Sequence, residues 1–155
     1  MAAVALHEIA ALHADGLAIK WPNDLTAGGA KLAGILLERE GAAVVVGFGV
    51  NLAEHPELPD RPSTSLKALA GAAPDPAAFA EALAEAFARW LARWRQDGIS
   101  PIRRRWMEAA HPVGTALATA EGDGLFDGLD EAGALRLRLA DGGVRIIHAG
   151  DVFLL

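Results

Sequence analysis

The sequence predicts an α+β fold, in which a partial mixed β-sheet with packed helices is followed by a small β-barrel. Two segments repeat apolar residues at helical spacing, and residues 31–50 hold two apolar, glycine-interrupted segments of strand length. After residue 110 the pattern shortens to several strand-like segments separated by turns. These observations predict a helix-and-sheet domain over residues 1–110 and a β-domain over residues 111–155.

The composition limits the classes of function that the chain supports. Its 155 residues are 52% hydrophobic, which is enough material for a buried core. A formal net charge of −6 argues against nucleic-acid binding, which requires clustered lysine and arginine. The sequence has no cysteine, which excludes disulfides and thiolate chemistry, and its five histidines lack the spacing of a helical metal site. No apolar segment reaches the length of a membrane span, so no membrane partner is expected and a cytoplasmic location is predicted.

The first half of the chain contains one predicted helix over residues 2–14 and three predicted strands, over residues 17–20, 31–38 and 43–50. Gly16 is expected to end the helix, and Pro22 to end the first strand because proline donates no backbone hydrogen bond. The second strand is apolar on both faces, as is typical of a buried central strand. Three prolines in residues 55–62 predict a surface loop.

The middle of the chain is predicted to be helical. Ser65 and Asp75 are positioned to cap helices over residues 66–70 and 76–96. The longer helix has an apolar stripe that predicts its buried face, formed by Phe79, Leu83, Phe87, Trp90, Leu91 and Trp94. A further helix over residues 101–109 carries three consecutive arginines, which are expected on a solvated face.

The C-terminal part is predicted to consist of four short strands, over residues 113–119, 124–129, 134–139 and 144–148. Turn residues separate them, and Asp141-Gly142-Gly143 indicates a hairpin. Several short strands within some forty residues are typical of a small SH3-like or OB-like barrel.

Three motifs carry a resemblance to a known family. KWPND at residues 20–24, KLAGIL at residues 31–36 and GFGVNL at residues 47–52 follow one another at the family's spacing. Together with residues 124–152, they resemble the biotin protein ligases, that is, the biotin–[acetyl-CoA-carboxylase] ligases. The resemblance implies the class II aminoacyl-tRNA-synthetase-like sheet of that family, with an SH3-like barrel behind it.

One departure from the family concerns the region before KWPND. The family carries there a glycine/arginine-rich, GRGRxG-like loop over biotin and the phosphates, and this sequence contains no such segment. The chain therefore resembles the C-terminal portion of a ligase without the N-terminal part of the catalytic domain, and little or no activity is expected of it alone. A sheet that lacks neighbouring strands has an unpaired edge, which predicts self-association, for instance as a homodimer.

The resemblance implies a two-step reaction with ATP, biotin and Mg²⁺. Biotin is activated to biotinyl-5′-AMP and is then transferred to a lysine of the biotin carboxyl carrier protein of acetyl-CoA carboxylase. Because no enzyme nucleophile takes part, catalysis consists of positioning and charge stabilisation. Lys31 matches the family's essential lysine and is predicted to be catalytic and to bind the biotin carboxylate. Without the resemblance, Lys31 is better interpreted as a solvated lysine after a Gly-Gly turn.

The resemblance also implies roles for other residues of these motifs. Gly34 is predicted to bind biotin, and the nucleotide is predicted to contact Trp21, Asn23, Asp24, Gly47, Gly49 and Asn51. Asp24 is in addition a candidate ligand for Mg²⁺. A structural alternative stands beside each role: Asp24 can support its turn, Asn51 can cap the next one, and Trp21 can pack beneath the motif.

Two other functions stay open at this point. The chain can be a non-catalytic remnant that binds nucleotide or a carrier protein, or an acyl ligase of the lipoate type. The lipoate type lacks the pairing of KWPND with Gly-Gly-KLAGIL, which favours the biotin ligase.

Overall fold

The computed structural model describes residues 1–57, 59 and 61–155 and confirms the predicted α+β class. The described residues contain the helices α1 Ala2–Ala10, α2 Leu66–Ala70, α3 Pro76–Asp97 and α4 Ser100–Ala109. The first sheet consists of β1 Leu17–Lys20, β2 Asp24–Ala27, β3 Ala30–Glu40 and β4 Ala43–Val50. The second sheet consists of β5 Ala116–Thr119, β6 Gly122–Leu129, β7 Leu135–Arg138, β8 Val144–Ile147 and β9 Val152–Leu154.

The first sheet has the order β1-β2-β3-β4, and each neighbouring pair is antiparallel. The sequence predicted a mixed sheet, but parallel pairing in the described residues is limited to two isolated bridges, Ile19–Ala110 and Lys31–Ser63. Tight turns join consecutive strands, and such short connections permit only antiparallel neighbours. Strand β2 was not predicted, because its four residues lie between two turn motifs and are too few to show a period.

Helices α1, α3 and α4 pack together on one face of the first sheet. Phe48 of β4 meets Phe87 of α3 edge to face, with the ring centroids 6.1 Å apart. Helix α3 begins as predicted, since the Asp75 carboxylate accepts a hydrogen bond from the Ala78 N–H at 2.9 Å. Gly98 follows its last residue, also as predicted.

Trp94, which was predicted to face the core, is exposed instead, and so is Leu12, which falls within the predicted helix 2–14. Leu12 is 74% exposed and Trp94 is 48% exposed. Helix α1 ends at Ala10, so Leu12 lies beyond it. The buried residues of α3 all fall between Phe79 and Ala86, because its 22 residues span about 33 Å and the nine residues of α1 only about 14 Å. The end of α3 that carries Trp94 therefore extends past its packing partner.

The outer half of the β3–β4 hairpin also differs from the prediction of a buried central strand. Leu36 is 59% exposed, Leu37 61%, Val44 60% and Val45 51%. Leu36 and Leu37 project from opposite faces, so both faces of the hairpin are open in the part of the chain that is described. A strand is buried on both faces only where a layer covers each of them, and here the helices cover only the inner half.

The second sheet has the order β8-β7-β6-β5-β9, with antiparallel pairs throughout. The predicted small SH3-like unit is confirmed, with one more strand than predicted. Strand β9 was missed because three residues, Val152–Leu154, are too few to show alternation.

The two sheets share one hydrophobic core. Trp106 of α4 meets Phe126 of β6 with ring centroids 6.2 Å apart. The Arg103 guanidinium donates two hydrogen bonds to the Leu129 carbonyl, at 3.0 and 2.6 Å. The predicted solvated arginine face is therefore wrong for Arg103, which ties α4 to the second sheet. The division into residues 1–110 and 111–155 stays a prediction; helix α4 ends and β5 begins on either side of it.

Among the described residues, none of the helices is long and apolar enough to cross a membrane. The proline-rich loop predicted at residues 55–62 contains Leu58 and Asp60, which lie outside the described residues.

Candidate active site

One row of residues crosses all four strands of the first sheet. Lys20 pairs with Asp24, Asp24 with Gly34, and Gly34 with Gly49. Residues paired across antiparallel strands project from the same face, so these four lie side by side. Phe48 precedes Gly49 and faces helix α3, so the row lies on the other face of the sheet. We call the face that carries Lys20, Asp24, Gly34 and Gly49 the open face.

Asp24 is the centre of a charge cluster on the open face. Its Oδ1 lies 2.5 Å from Lys31 Nζ, and its Oδ2 lies 3.2 Å from Lys20 Nζ. The side chains of Asp24 and Lys20 are 14% and 19% exposed, whereas that of Lys31 is 50% exposed. Less water screens partly buried charges, which strengthens the attraction between them. Two ammonium groups on one carboxylate leave an excess of positive charge, which favours an anionic ligand beside Lys31.

The backbone of Lys31 is held by the segment that follows the proline-rich loop. The Lys31 N–H donates to the Pro62 carbonyl at 2.8 Å, and the Thr64 N–H donates to the Lys31 carbonyl at 2.9 Å. The Asn51 side-chain amide donates to the Thr64 carbonyl at 2.9 Å and to the Lys31 carbonyl at 3.4 Å. Asn51 therefore anchors this segment, in line with its structural alternative, and its contact with a nucleotide stays a prediction.

Gly34, Gly47 and Gly49 form a floor without side chains on the open face, which we call the glycine shelf. A Cβ at Gly34 would lie 3.0 Å from Lys31 Nζ, whereas a Cβ at Gly49 would have its nearest contact at 3.8 Å. Leu36 and Val45 project from the same face beyond the shelf and are exposed. The shelf allows a ligand to lie directly against the backbone, with its anionic end at Lys31 and its apolar part toward Leu36.

Asn23 and Trp21 hold the turn between β1 and β2 in place. The Asn23 amide donates to the Ile35 carbonyl at 2.7 Å, and the Ile35 N–H donates to the Asn23 carbonyl at 2.9 Å. Trp21 is 8% exposed, and its indole N–H donates to the carbonyl of Gly133, in the turn between β6 and β7, at 3.3 Å. Their predicted contacts with a nucleotide stay predictions, because the contacts present here support the turn itself.

The second sheet closes one side of the site. A cleft of about 370 Å³ lies beside the charge cluster, and its lining includes Lys20, Asp24, Lys31, Arg61, Asp151 and Phe153. Arg61, β9 and the role of Lys20 were not predicted from the sequence. Recognising residues 21–23 as a hairpin turn would have placed Lys20 opposite Asp24. No local pattern shows where the second sheet docks.

The predicted magnesium role of Asp24 competes with the two lysines. Both of its carboxylate oxygens already contact an ammonium group. In the described part of the chain, no three His, Cys, Asp or Glu side chains cluster so that they could hold a metal ion. Among the described residues, side chains alone therefore do not form such a site, and an ion at Asp24 would compete with the two lysines for its oxygens. Mg²⁺ at Asp24 stays a prediction.

His111 lies in the segment between α4 and β5 and contacts Thr26 of β2. Its Nε2 lies 3.2 Å from Thr26 Oγ1, and the Thr26 hydroxyl donates to the Ala18 carbonyl at 3.2 Å. Because the hydroxyl proton is used in that bond, we assign the proton of the shared contact to His111 Nε2. Burial, and secondly the nearby Lys20 ammonium, lower the pKa of His111 below its ordinary value of 6.5.

We expect the His111→Gln variant to show a weaker loss of stability in acid. A histidine whose pKa is lower in the folded state stabilises the fold fully above pH 6.5, and this contribution is lost as the pH falls through its folded-state pKa. The free energy of unfolding in urea, measured at several values between about pH 8 and pH 5, tests this. His13→Gln at an exposed histidine is the matched control. An equal effect of both substitutions would contradict the prediction.

Gly34→Ala is expected to displace the Lys31 ammonium from Asp24. The new Cβ would lie 3.0 Å from Lys31 Nζ and 3.1 Å from its Cε, and the flexible end of the lysine yields more easily than the sheet. The displacement should appear in NMR as a change in the Lys31 Nζ and Asp24 carboxyl resonances without any ligand. Gly49→Ala adds the same methyl group in the same row with its nearest contact at 3.8 Å. Unchanged resonances in Gly34→Ala would rule out this displacement.

Comparisons with known proteins first define the class. Residues 1–51 match the model of the Biotin/lipoate A/B protein ligase family, and residues 119–155 match that of the Biotin protein ligase C terminal domain. A biotin protein ligase structure from Aquifex aeolicus aligns with a TM-score of 0.89 at 18% identity, over 99% of this chain and 73% of that one. An Aquifex structure in complex with biotin and ATP aligns with a TM-score of 0.88 at 20% identity, over 99% and 69%. The chain has the fold of these ligases.

Sequence relatives then identify the family. The Biotin–[acetyl-CoA-carboxylase] ligase of Paracoccus denitrificans is 43% identical over 170 residues, which cover 99% of this chain and 70% of that protein. The bifunctional ligase/repressor BirA of Bacillus subtilis is 30% identical over 96% of this chain and 49% of its own length. The chain belongs to the biotin protein ligase family. It spans about half to about 70% of the length of these two relatives.

Proposed function

We propose that the open face binds biotin and ATP and catalyses the formation of biotinyl-5′-AMP. The observation that carries this proposal is the position of Lys31, whose half-exposed ammonium lies at the charged end of the glycine shelf. The names of the relatives support it, since the Paracoccus protein is a biotin–[acetyl-CoA-carboxylase] ligase. The Aquifex structure with biotin and ATP shows that this fold accommodates both compounds.

The proposed first step follows from the position of Lys31 beside the glycine shelf. The biotin tail lies along Gly34, and its carboxylate meets the α-phosphate of ATP beside Lys31. The ammonium reduces the repulsion between the two anions and stabilises the charge that builds up during the attack. A carboxylate oxygen forms the new bond to phosphorus, and pyrophosphate leaves with the electrons of the broken P–O bond. We place the nucleotide near Asp24, Gly47, Gly49 and Asn51.

In the second step, the amine of an acceptor lysine attacks the acyl carbon of biotinyl-5′-AMP. An amide forms, AMP leaves, and the amine loses a proton. We propose the biotin carboxyl carrier protein of acetyl-CoA carboxylase as the acceptor, because the Paracoccus relative carries acetyl-CoA carboxylase in its name. Mg²⁺ accompanies the phosphates of ATP in this proposal, and the cytoplasm, which supplies ATP, is the proposed compartment.

Two further expectations concern completeness and assembly. The resemblance implies a glycine/arginine-rich loop over biotin, which these residues do not contain, so we expect weak ligand binding and slow turnover from the chain alone.

The edge of β4 and the exposed Leu36, Leu37, Val44 and Val45 support self-association, for instance as a homodimer. Sedimentation measures it, and a clean monomer would contradict it.

Calorimetry and product formation test the proposed function. The purified chain is titrated separately with ATP and with biotin, and biotinyl-5′-AMP is followed under single-turnover conditions with excess protein. We expect weak binding and slow, biotin-dependent product formation. Binding of neither compound would instead support a non-catalytic remnant that binds a carrier protein, and ATP binding without any product would support a remnant that binds nucleotide. Faster adenylation of lipoate than of biotin would support the lipoate type of ligase, and rapid turnover would contradict the expectation that contacts are missing.

A further inference from the structure

We propose that Lys20 is a positioning residue, which connects the C-terminal sheet to Lys31 through Asp24. The docking of that sheet thereby fixes the position of the Lys31 ammonium. The proposal rests on the proposed function, because it assigns Lys20 an effect on the adenylation step. It adds a residue of the KWPND motif that the sequence analysis left without a role. It also gives the second sheet a defined connection to the reacting groups.

The first link joins Lys20 to the C-terminal sheet. Lys20 Nζ donates to the Val152 carbonyl at 3.0 Å, and it lies 5.9 Å from the centroid of the Phe153 ring. Both residues belong to β9, which pairs with β5, and Val152 is 2% exposed. The Lys20 ammonium is therefore held by a backbone oxygen that the second sheet fixes in place. A side-chain substitution in β9 does not remove that oxygen.

The second link joins Lys20 to Asp24, and the third joins Asp24 to Lys31. Lys20 contacts Oδ2 of Asp24 at 3.2 Å, while Lys31 contacts Oδ1 at 2.5 Å. Each carboxylate oxygen thus has its own ammonium partner. A carboxylate held at both oxygens keeps one orientation, whereas one held at a single oxygen can rotate about its side-chain torsions. The orientation of Asp24 therefore depends on Lys20.

Burial separates the roles of the two lysines. The Lys20 side chain is 19% exposed and its charge is shared between a carboxylate and a carbonyl, as expected of a structural contact. The Lys31 side chain is 50% exposed, so its ammonium can contact a ligand without leaving Asp24, because it carries three donor protons. Lys20 fixes the orientation of the Asp24 carboxylate, and Lys31, held by that carboxylate, presents its ammonium to the ligand.

Other charged or titratable groups around this cluster do not replace Lys20. Arg61 and Asp151 line the same cleft, but the contacts to the two oxygens of Asp24 come from lysines. His111 lies in the segment between α4 and β5, and the Lys20 ammonium contributes to its lowered pKa. Loss of Lys20 therefore leaves Oδ2 of Asp24 without the ammonium that orients it, and the Lys31 ammonium moves with the carboxylate.

The test compares Lys20→Met with Lys67→Met in the full chain. Both substitutions remove a positive charge at nearly constant length, and Lys67 is an exposed residue of α2 that does not line the cleft beside the charge cluster. The first readout needs no ligand or activity: NMR resonances of the Lys31 ammonium and the Asp24 carboxyl group. We expect both to change in Lys20→Met, to change less in Lys20→Arg, and to stay the same in Lys67→Met. Unchanged Lys31 and Asp24 resonances in Lys20→Met would overturn the proposal.

The second readout is the single-turnover rate of biotinyl-5′-AMP formation. A displaced reacting group costs on the order of 100-fold in rate, so we expect a loss of that size in Lys20→Met with the apparent affinity for biotin retained. Partial recovery in Lys20→Arg supports positioning, while an unchanged rate overturns it. If the role of Lys20 were purely structural, Lys20→Met would instead lower the folded fraction and leave the rate of the folded molecules unchanged. If the unsubstituted chain and Lys67→Met are both inactive, the proposed function fails and the NMR readout still decides the coupling.

A measurement on the unsubstituted chain keeps the proposal falsifiable if Lys20→Met does not fold. The 3.0 Å contact predicts a scalar coupling through the hydrogen bond between Lys20 Nζ and the Val152 carbonyl carbon. It also predicts slower exchange of the Lys20 ammonium protons than of the Lys67 ammonium protons. A freely exchanging Lys20 ammonium without such a coupling would overturn the first link.

Discussion

Replacing Lys31 by methionine is expected to lower the rate of biotinyl-5′-AMP formation by about 100- to 1,000-fold. Removing one preorganised donor from a developing charge has an effect of this size, and here the donor also balances Asp24 beside an incoming anion. Methionine keeps most of the length of the side chain, so the loss reports the charge. The measurement is the single-turnover rate with ATP and biotin, and the fold is checked by circular dichroism.

The control for this prediction is Lys67→Met, an exposed lysine on α2. Its rate should equal that of the unsubstituted chain. A Lys31→Met variant that keeps the full rate would contradict the catalytic role and would leave Lys31 as a solvated residue after the Gly-Gly turn. A variant that loses ATP binding but keeps its rate at saturating ATP would assign Lys31 to affinity alone.

Trp106→Ala is expected to lower the free energy of unfolding by about 3–5 kcal/mol, the usual cost of removing a large buried aromatic side chain. Trp106 is 6% exposed, and it packs against Phe126 of the second sheet. Because the two sheets share one core, we expect unfolding to remain a single transition that shifts as a whole. Urea unfolding followed by far-UV circular dichroism measures both quantities.

Trp94→Ala is the matched control, since the same residue type lies in the neighbouring helix at 48% exposure. Its free energy of unfolding should change by no more than about 0.5 kcal/mol. Two separate transitions in Trp106→Ala, of which only one shifts, would contradict a shared core. They would support the prediction that residues 1–110 and 111–155 are independent domains.

Local patterns predicted the helices well and the sheet only in part. The caps at Ser65 and Asp75 marked the starts of α2 and α3, because capping depends on residues close in sequence. Strands β2 and β9 were missed, because strands of four and three residues show no clear period. The burial of Leu36 and Leu37 was predicted wrongly, since hydrophobicity alone does not show whether another layer covers a strand.

The candidate site divides in a similar way. The resemblance of the motifs predicted Lys31, Asp24, Gly34 and Gly49 as site residues, and the structure places Asp24, Gly34 and Gly49 in one row with Lys31 beside it. Asn51, Asn23 and Trp21 contact the protein itself, and their roles toward a nucleotide remain to be measured. The structural alternatives predicted for these residues agree with the contacts, because polar side chains beside a turn usually bond to nearby backbone.

The sequence by itself determined the family, and through the resemblance it predicted Lys31 as the catalytic lysine and Gly34, Gly47 and Gly49 as binding residues, because these assignments depend on residue type and on spacing along the chain. Only the tertiary structure showed that Asp24 lies between two lysines and that Lys20 reaches the carbonyl of Val152, 132 residues further along the chain. The reason is that the position of a charged group is set by strand register and by the docking of the second sheet. Both are long-range properties that no local pattern contains.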